Sequence, residues 1–288
     1  MDRTGIVVGI DDSPAAAHAY RWAVARSGQF GRVQPVAAWT DPWWYKLSAP
    51  MVAPDGPGPD IAKACAELVG HLTDRTDPAL LGEPIIAKGA PGPILVDVAS
   101  EAALLVTGTR GRGPIADSLL GSVSTYCASH ARGPVAVVPD EAPVEAAPET
   151  FLVGIDGSPG SAAALDWALT HAGDDDSITA LQAWDIPILT GYEGIAIDPS
   201  VVRDGAVQTA TACVAAACDR AGVLTSRVDV RVEEGDARML LQEQGEHASM
   251  VVVGRRGHSR IAQLLLGSVA ASLVHRPSAP VVVVPPTS

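Results

Sequence analysis

Aromatic residues make up only 4% of this 288-residue chain, and lysine occurs just three times. With so few rings, Ala, Val and Leu must supply most of the packing. A hydrophobic content of 47% is enough for two cores of ordinary size. Positive charge is scarce: the formal net charge is −13, made up of −5 as far as residue 145 and −8 beyond it. Such a surface repels nucleic acid and anionic membrane, so neither is expected as a partner. The four cysteines (Cys65, Cys127, Cys213, Cys218) show no CxxC spacing. Cys213 and Cys218 stand at i, i+5 on one expected helix, which is not a metal-ligand geometry. Idle thiols in a reducing compartment are the simplest account. No apolar run reaches the roughly 18 residues of a membrane span, and the first residues lack a signal-peptide layout. The expectation is a soluble cytoplasmic protein.

The chain does contain one pattern written twice. "GTRGRGPIADSLLGS" runs from Gly108 to Ser122, and "GRRGHSRIAQLLLGS" runs from Gly254 to Ser268. Both share the skeleton Gly-x2-Gly-x9-Gly-Ser, and the copies lie 146 residues apart. "VGIDDSP" (8–14) matches "VGIDGSP" (153–159), and "GPVAVVP" (133–139) matches "APVVVVP" (279–285). Trp22 and Trp39 have counterparts in Trp167 and Trp184. These matches define a duplicated domain. We divide the chain into residues 1–140, an acidic Ala/Pro-rich linker at 141–150, and residues 151–288.

Each copy alternates short apolar runs with helical patterns. In the first, strands are expected at 6–10, 33–39, 83–89, 103–108 and in the terminal "PVAVVP". Helices are expected from Ser13-Pro14 to about Arg26, from about Asp60, over Pro91–Ser100 and over about Asp117–Ala131. A Ser followed by Pro is an N-cap with proline at the first helical position. The second copy repeats the series, with "RVDVRVEEG" and "SMVVVG" as its third and fourth strands. Alternation of this kind implies right-handed crossovers and a parallel sheet covered on both faces. The fold class is therefore α/β: two tandem Rossmann-like domains, each an open five-stranded parallel sheet of order 3-2-1-4-5. The crevice at the switch point, between strands one and four, is where such sheets bind ligands.

Asp11 and Gly108 are expected at the carboxyl ends of strands one and four, facing this crevice. Gly108 and Gly111 free the backbone and clear side chains, so that amides can reach an anion. The following residues return Gly121-Ser122 to the same place at a helix amino terminus, where phosphate is favoured. Asp11 and Asp156 would equally well stabilise the first helical turn, Ser13 and Ser158 are most simply N-caps, and Ser122 and Ser268 either cap a helix or touch phosphate. The loop is neither a Walker A motif nor GxGxxG. No GxSxG elbow, HExxH motif or devoted nucleophile–base pair is present, so no dedicated enzyme is expected. Trp43, Trp44 and Tyr45 open a Pro-rich stretch that would either cover the crevice as a lid or pack against a neighbouring unit.

Taken together, the paired VGID(D/G)SP segments, the two Gly-x2-Gly-x9-Gly-Ser loops and the terminal PV(A/V)VVP-type strands resemble those of the universal stress protein family in its tandem form. The resemblance covers nearly all of both halves, and the composition suggests an actinobacterial source. In the ATP-binding branch it implies a nucleotide site built from Asp11, Gly108, Gly111, Gly121, Ser122, Val123 and Ser124. A second site would be built from Asp156, Gly254, Gly257, Gly267, Ser268 and Val269. It further implies ATP, with Mg2+, as the ligand, a regulatory role in the stress response, and antiparallel pairing of terminal strands, either between the two domains as a pseudo-dimer or across a homodimer. The regulatory protein that reads the state is unknown. Other functions compatible with the residues are an adenylate-forming or slowly ATP-hydrolysing enzyme of the same superfold, and a scaffold that binds no nucleotide. Copy two departs from copy one: Ala270 stands for Ser124, and His258-Ser259 for Arg112-Gly113. The missing hydroxyl makes site two the expected weaker one, and His258 would add a pH-sensitive contact near the phosphates.

Overall fold

The computed structural model describes residues 5–41, 58–109, 121–145, 148–186, 198–258 and 265–286. The chain divides into two compact units, Met1–Glu145 and Ala146–Ser288. Expected positions Arg110, Gly111, Arg112, Gly113, Ser259 and Arg260, and the Trp43–Tyr45 stretch, lie outside the described residues.

Unit one contains β1 (Ile6–Ile10), α1 (Pro14–Ala25), β2 (Val33–Trp39), α2 (Gly58–Thr73), β3 (Ile85–Lys88), α3 (Pro91–Val98), β4 (Leu104–Gly108), α4 (Ser122–His130) and β5 (Val135–Val138). Its strands lie in the order β3-β2-β1-β4-β5, all parallel, as the switch-point argument requires. β1 is buried almost throughout, which is why it reads as a continuous apolar run. α1 packs on β1 and β4, while α3 packs on β1 and β2. Ser13 caps α1: its Oγ accepts from the Ala16 amide at 3.1 Å, and Pro14 occupies the first turn. The helix before the last strand starts later than its apolar pattern suggests. Gly121, at φ −68° and ψ 105°, is extended, so α4 begins at Ser122; Asp117, where the pattern was expected to open, lies outside the described residues.

Unit two repeats the plan with β6 (Thr150–Gly154), α5 (Pro159–His171), β7 (Ser177–Trp184), α6 (Pro199–Ala221), β8 (Val228–Glu234), α7 (Ala237–Gly245), β9 (Met250–Gly254), α8 (Ser268–His275) and β10 (Val281–Val284). Its order β8-β7-β6-β9-β10 is again 3-2-1-4-5 in chain order, all parallel. Ser158 caps α5 through the Ser161 amide at 3.2 Å. α5 packs on β6 and β9, and α7 lies over β6 and β7. In both units Ala and Val dominate the core, and few rings are needed: Tyr20, Trp22 and Phe151 are among the largest fully buried side chains.

Part of the stretch read as linker is held against unit one. His18 Nε2 donates to the Ala142 carbonyl at 2.8 Å, and Arg26 Nη1 donates to the Val144 carbonyl at 3.2 Å. Arg26 is itself buried, with its guanidinium 3.9 Å from the Trp22 ring centre. Ala142 is buried too. Residues 142–144 are thus fastened to unit one by hydrogen bonds from His18 and the charged Arg26, whose guanidinium is itself placed against Trp22. The four cysteines are free thiols. Burial pushes the Cys127 thiol up to about 12, so it stays protonated and inert at neutral pH.

Candidate functional site

Parallel pairing places the ends of β6 and β9 on one rim of unit two, since Val153 lies opposite Val252. β6 leads into Ile155, Asp156, Gly157 and the Ser158 cap. Gly157 has φ +83°, a conformation L side chains resist. Unit one has Asp12 at this position, and no described non-glycine residue has positive φ, so the two turns differ. Asp156 Oδ1 accepts from the Ser158 amide at 2.9 Å. Its other oxygen faces the second glycine of the loop: a Cβ placed on Gly257 would collide with Asp156 Oδ2. One oxygen of this aspartate thus supports the helix start, while the other stands at the crevice wall.

From β9 the chain runs through Arg255, Arg256, Gly257 and His258. His258 Nε2 donates to the Asp156 carbonyl at 2.9 Å and so ties the glycine bend to the β6 turn. At the far end of the loop, the Gly267 amide donates to the Arg255 carbonyl at 2.8 Å. This bond returns Gly267-Ser268 to the strand end, as the repeated spacing requires. Gly267 is the N-cap of α8, and no side chain caps that helix. The first intrahelical bond runs from the Ala271 amide to the Gly267 carbonyl. The amides of Ser268, Val269 and Ala270 are therefore those of an uncapped first turn, where an anion is favoured. Arg255 is half-buried. Desolvation, and then the neighbouring Arg256, holds its guanidinium below the ordinary range.

These parts surround a cleft that is partly open to solvent. One side is apolar, built by Leu181, Ala183, Ala237, Leu241 and Val253. The other carries Asp156, Arg256, Gly257, His258 and the Gly267–Ala270 helix start. An apolar slot joined to an anion-binding helix end has the division of chemistry a nucleoside phosphate needs. All six residues expected in site two, Asp156, Gly254, Gly257, Gly267, Ser268 and Val269, line this one cleft.

Gly254 is present for an additional reason. A Cβ there would lie within 3 Å of the backbone of Gly160 in α5. Gly160 in turn leaves no room for a Cβ against the Arg256 carbonyl. The glycine pair lets the amino end of α5 press directly on the end of β9. The same holds in unit one, where a Cβ on Gly108 would meet the Ala15 carbonyl carbon at 2.9 Å. The α7 wall was missed in the sequence, although Ala237 and Leu241 stand at i, i+4 just after the third strand of the copy.

In unit one, β1 and β4 pair with Val8 opposite Val106, so Asp11 and Gly108 share a rim. Asp11 Oδ1 accepts from the Ser13 amide at 3.0 Å and from its hydroxyl. Gly121 caps α4 and lies so close to the Thr109 carbonyl that no Cβ fits. Ser122 and Val123 follow in an uncapped first turn. Ser124 is buried in the same turn, and its hydroxyl donates to the Gly121 carbonyl at 3.0 Å. Ala270 in unit two therefore lacks a bond internal to the helix start. Gly111 lies outside the described residues.

Fold and crevice together define a tandem doubly wound α/β protein with a cleft at the switch point of its second unit. The family model described as the universal stress protein family matches residues 3–139 and again 148–285. The chain belongs to the universal stress protein family, with two such domains in tandem. It is 34% identical over 299 residues to a universal stress protein of Mycobacterium tuberculosis, covering 97% of this chain and 95% of that one. It is 30% identical over 305 residues to one from Mycolicibacterium smegmatis, covering 98% and 97%. A solved universal stress protein from Archaeoglobus fulgidus, 16% identical, superposes over the whole of both chains with a TM-score of 0.70 and shows the same fold. Among the described residues, no helix is long and apolar enough to cross a membrane.

Proposed function

We propose that this protein is an ATP-binding regulator of the stress response, with one nucleotide site in each unit and no dedicated catalytic step beyond slow hydrolysis. The observation that carries this reading is the unit-two cleft. A single space joins an apolar wall, an aspartate at the strand end and the uncapped amides of α8. Purine and sugar occupy the apolar side, and the phosphates meet the Ser268–Ala270 amides, with Arg256 contributing positive charge. Hydrogen bonds to charged oxygens contribute about 1.5–3 kcal/mol each, so three or four of them suffice for micromolar binding, about −8 kcal/mol.

Mg2+ fits this scheme as a companion of the phosphates. It keeps most of its waters and needs only one or two protein carboxylates, for which Asp156 and Asp11 are the candidates. No group of three or more His, Cys, Asp or Glu able to hold a metal occurs among the described residues, so such an ion would arrive with the nucleotide. Association of whole chains through the apolar terminal strands, and an effector protein that reads occupancy, belong to the same proposal.

Equilibrium dialysis of the intact chain against labelled ATP, followed by assays for phosphate and pyrophosphate, tests it. Saturation at two ATP per chain with little release of either product is expected. Absence of binding at millimolar ATP would leave only the scaffold function, and steady pyrophosphate release would replace the regulator with an adenylate-forming enzyme.

A further inference from the structure

The two crevices differ at one position that the repeated motifs conceal. β9 ends in Val253-Gly254, and Val253 is part of the apolar wall of the unit-two cleft. At the matching place, β4 ends in Thr107-Gly108. Thr107 is 4% exposed, and among the described residues its hydroxyl has no hydrogen-bond partner. A buried hydroxyl left unsatisfied costs free energy that an isosteric valine would not. Val, Leu or Ile would fill this strand position as well as they fill the rest of β4, where Leu104, Leu105 and Val106 are all buried. A threonine here therefore calls for a partner that the described residues do not supply.

The surroundings indicate where that partner sits. In unit two, Val253 and Leu241 stand against Gly154, as the close approach of both side chains to a Cβ built there shows. In unit one, Leu95 of α3 stands in the same way against Gly9. Leu95 thus corresponds to Leu241, and Thr107 to Val253. Thr107 accordingly belongs to the apolar side of the unit-one crevice, one strand position deeper than Gly108 and away from the α4 amides that begin at Ser122. A polar atom meeting its hydroxyl belongs to the base or sugar of a bound nucleotide, not to its phosphates.

We infer that Thr107 is a specificity-determining contact in the unit-one crevice, where its hydroxyl hydrogen-bonds the nucleoside part of the ligand and distinguishes this site from unit two, which has Val253. This rests on the nucleotide reading given above. The difference ranks the sites in the same direction as Ser124 would, unit one the stronger, but it does so through a hydroxyl that is not committed within its own helix as that of Ser124 is.

The test is calorimetric titration of the intact chain with ATP and, separately, with adenosine. The wild type is compared with Thr107→Val and Thr107→Ser, each also in a Gly267→Glu background that weakens ATP binding at the second site; adenosine, which that substitution does not exclude from unit two, is followed as the weakening of one of two sites. Thr107→Val is expected to weaken the unit-one site about fivefold for both ligands, equivalent to about 1 kcal/mol. Thr107→Ser keeps the hydroxyl and is expected to retain affinity. The urea midpoint of the nucleotide-free chain should stay level or rise with valine, since an unpartnered hydroxyl is removed. A wild type that binds while Thr107→Val binds equally well overturns this inference alone. Loss with ATP but not with adenosine overturns it too, by moving the contact to the phosphates. A fall in the ligand-free midpoint overturns it by showing that the hydroxyl serves the fold. A wild type that binds neither ligand overturns the nucleotide reading, and this inference with it.

Discussion

Gly267→Glu is expected to weaken nucleotide binding in unit two by about a hundredfold while the domain stays folded. Gly267 is the N-cap of α8 at φ −70° and ψ 158°, a conformation open to any residue. A Cβ there would meet the Arg255 carbonyl oxygen at 3.3 Å and the Arg256 Cα at 3.4 Å. That is tight, but a shift of a few tenths of an ångström accommodates it. The added carboxylate then occupies the mouth of the uncapped first turn. It satisfies the same amides and the same helix dipole that a phosphate would, and it repels a second anion. Losing two charge-assisted hydrogen bonds removes about 3 kcal/mol, or roughly a hundredfold in affinity. Calorimetric titration paired with thermal unfolding checks both halves, and binding unchanged in a folded variant would remove α8 from the site. The matching substitution in unit one is a poorer probe. A Cβ on Gly121 would overlap the Thr109 carbonyl and come within 2.6 Å of Ser124 Oγ, so lost binding there would be mixed with local damage.

The largest effect on stability is expected from Gly254→Ala. The new methyl would lie 2.8 Å from the Gly160 Cα and closer still to the Gly160 carbonyl. All of the opposing atoms are backbone, so no rotamer change relieves the overlap. α5 must move away from β9, although it packs on both β6 and β9. Overpacking without relief costs about 3 kcal/mol. Urea unfolding should show unit two losing about that much, with its cleft distorted as the helix shifts. A variant within about 0.5 kcal/mol of the parent, the range of an ordinary surface change, would mean that the helix and strand do not approach as closely as described.

These two glycines show how far the sequence carries. Their spacing, repeated after a buried strand, was enough to place Gly254 and Gly267 at one crevice. The physical role of each was not readable from spacing. Gly254, the counterpart of Gly108, was expected in the site and does line the cleft, but the backbone of Gly160 is what forbids a side chain. Residues 160 and 254 meet only through the pairing of β6 with β9, a long-range register absent from any local pattern. Strand order followed from alternation and the switch-point rule, and the Ser13 and Ser158 caps followed from Ser-Pro. The role of Ser124 was equally hidden. A hydroxyl at the third position of a helix can turn outward to a ligand or back to the N-cap carbonyl, and only burial decides. The acidic Ala/Pro stretch looked like a linker because it lacks apolar periodicity. It is fastened by main-chain carbonyls, and any sequence carries those, so the cue lay instead in His18 and Arg26 far upstream.

The most direct test of the whole account is an amide-resolved NMR titration of the intact chain, first with adenosine and then with ATP. The amides of Ser268, Val269 and Ala270 should move little with the nucleoside and shift strongly with the triphosphate, together with Gly257. If ATP binds while those four amides stay still, the main-chain cradle is not where the phosphates rest, and the assignment of the crevice fails.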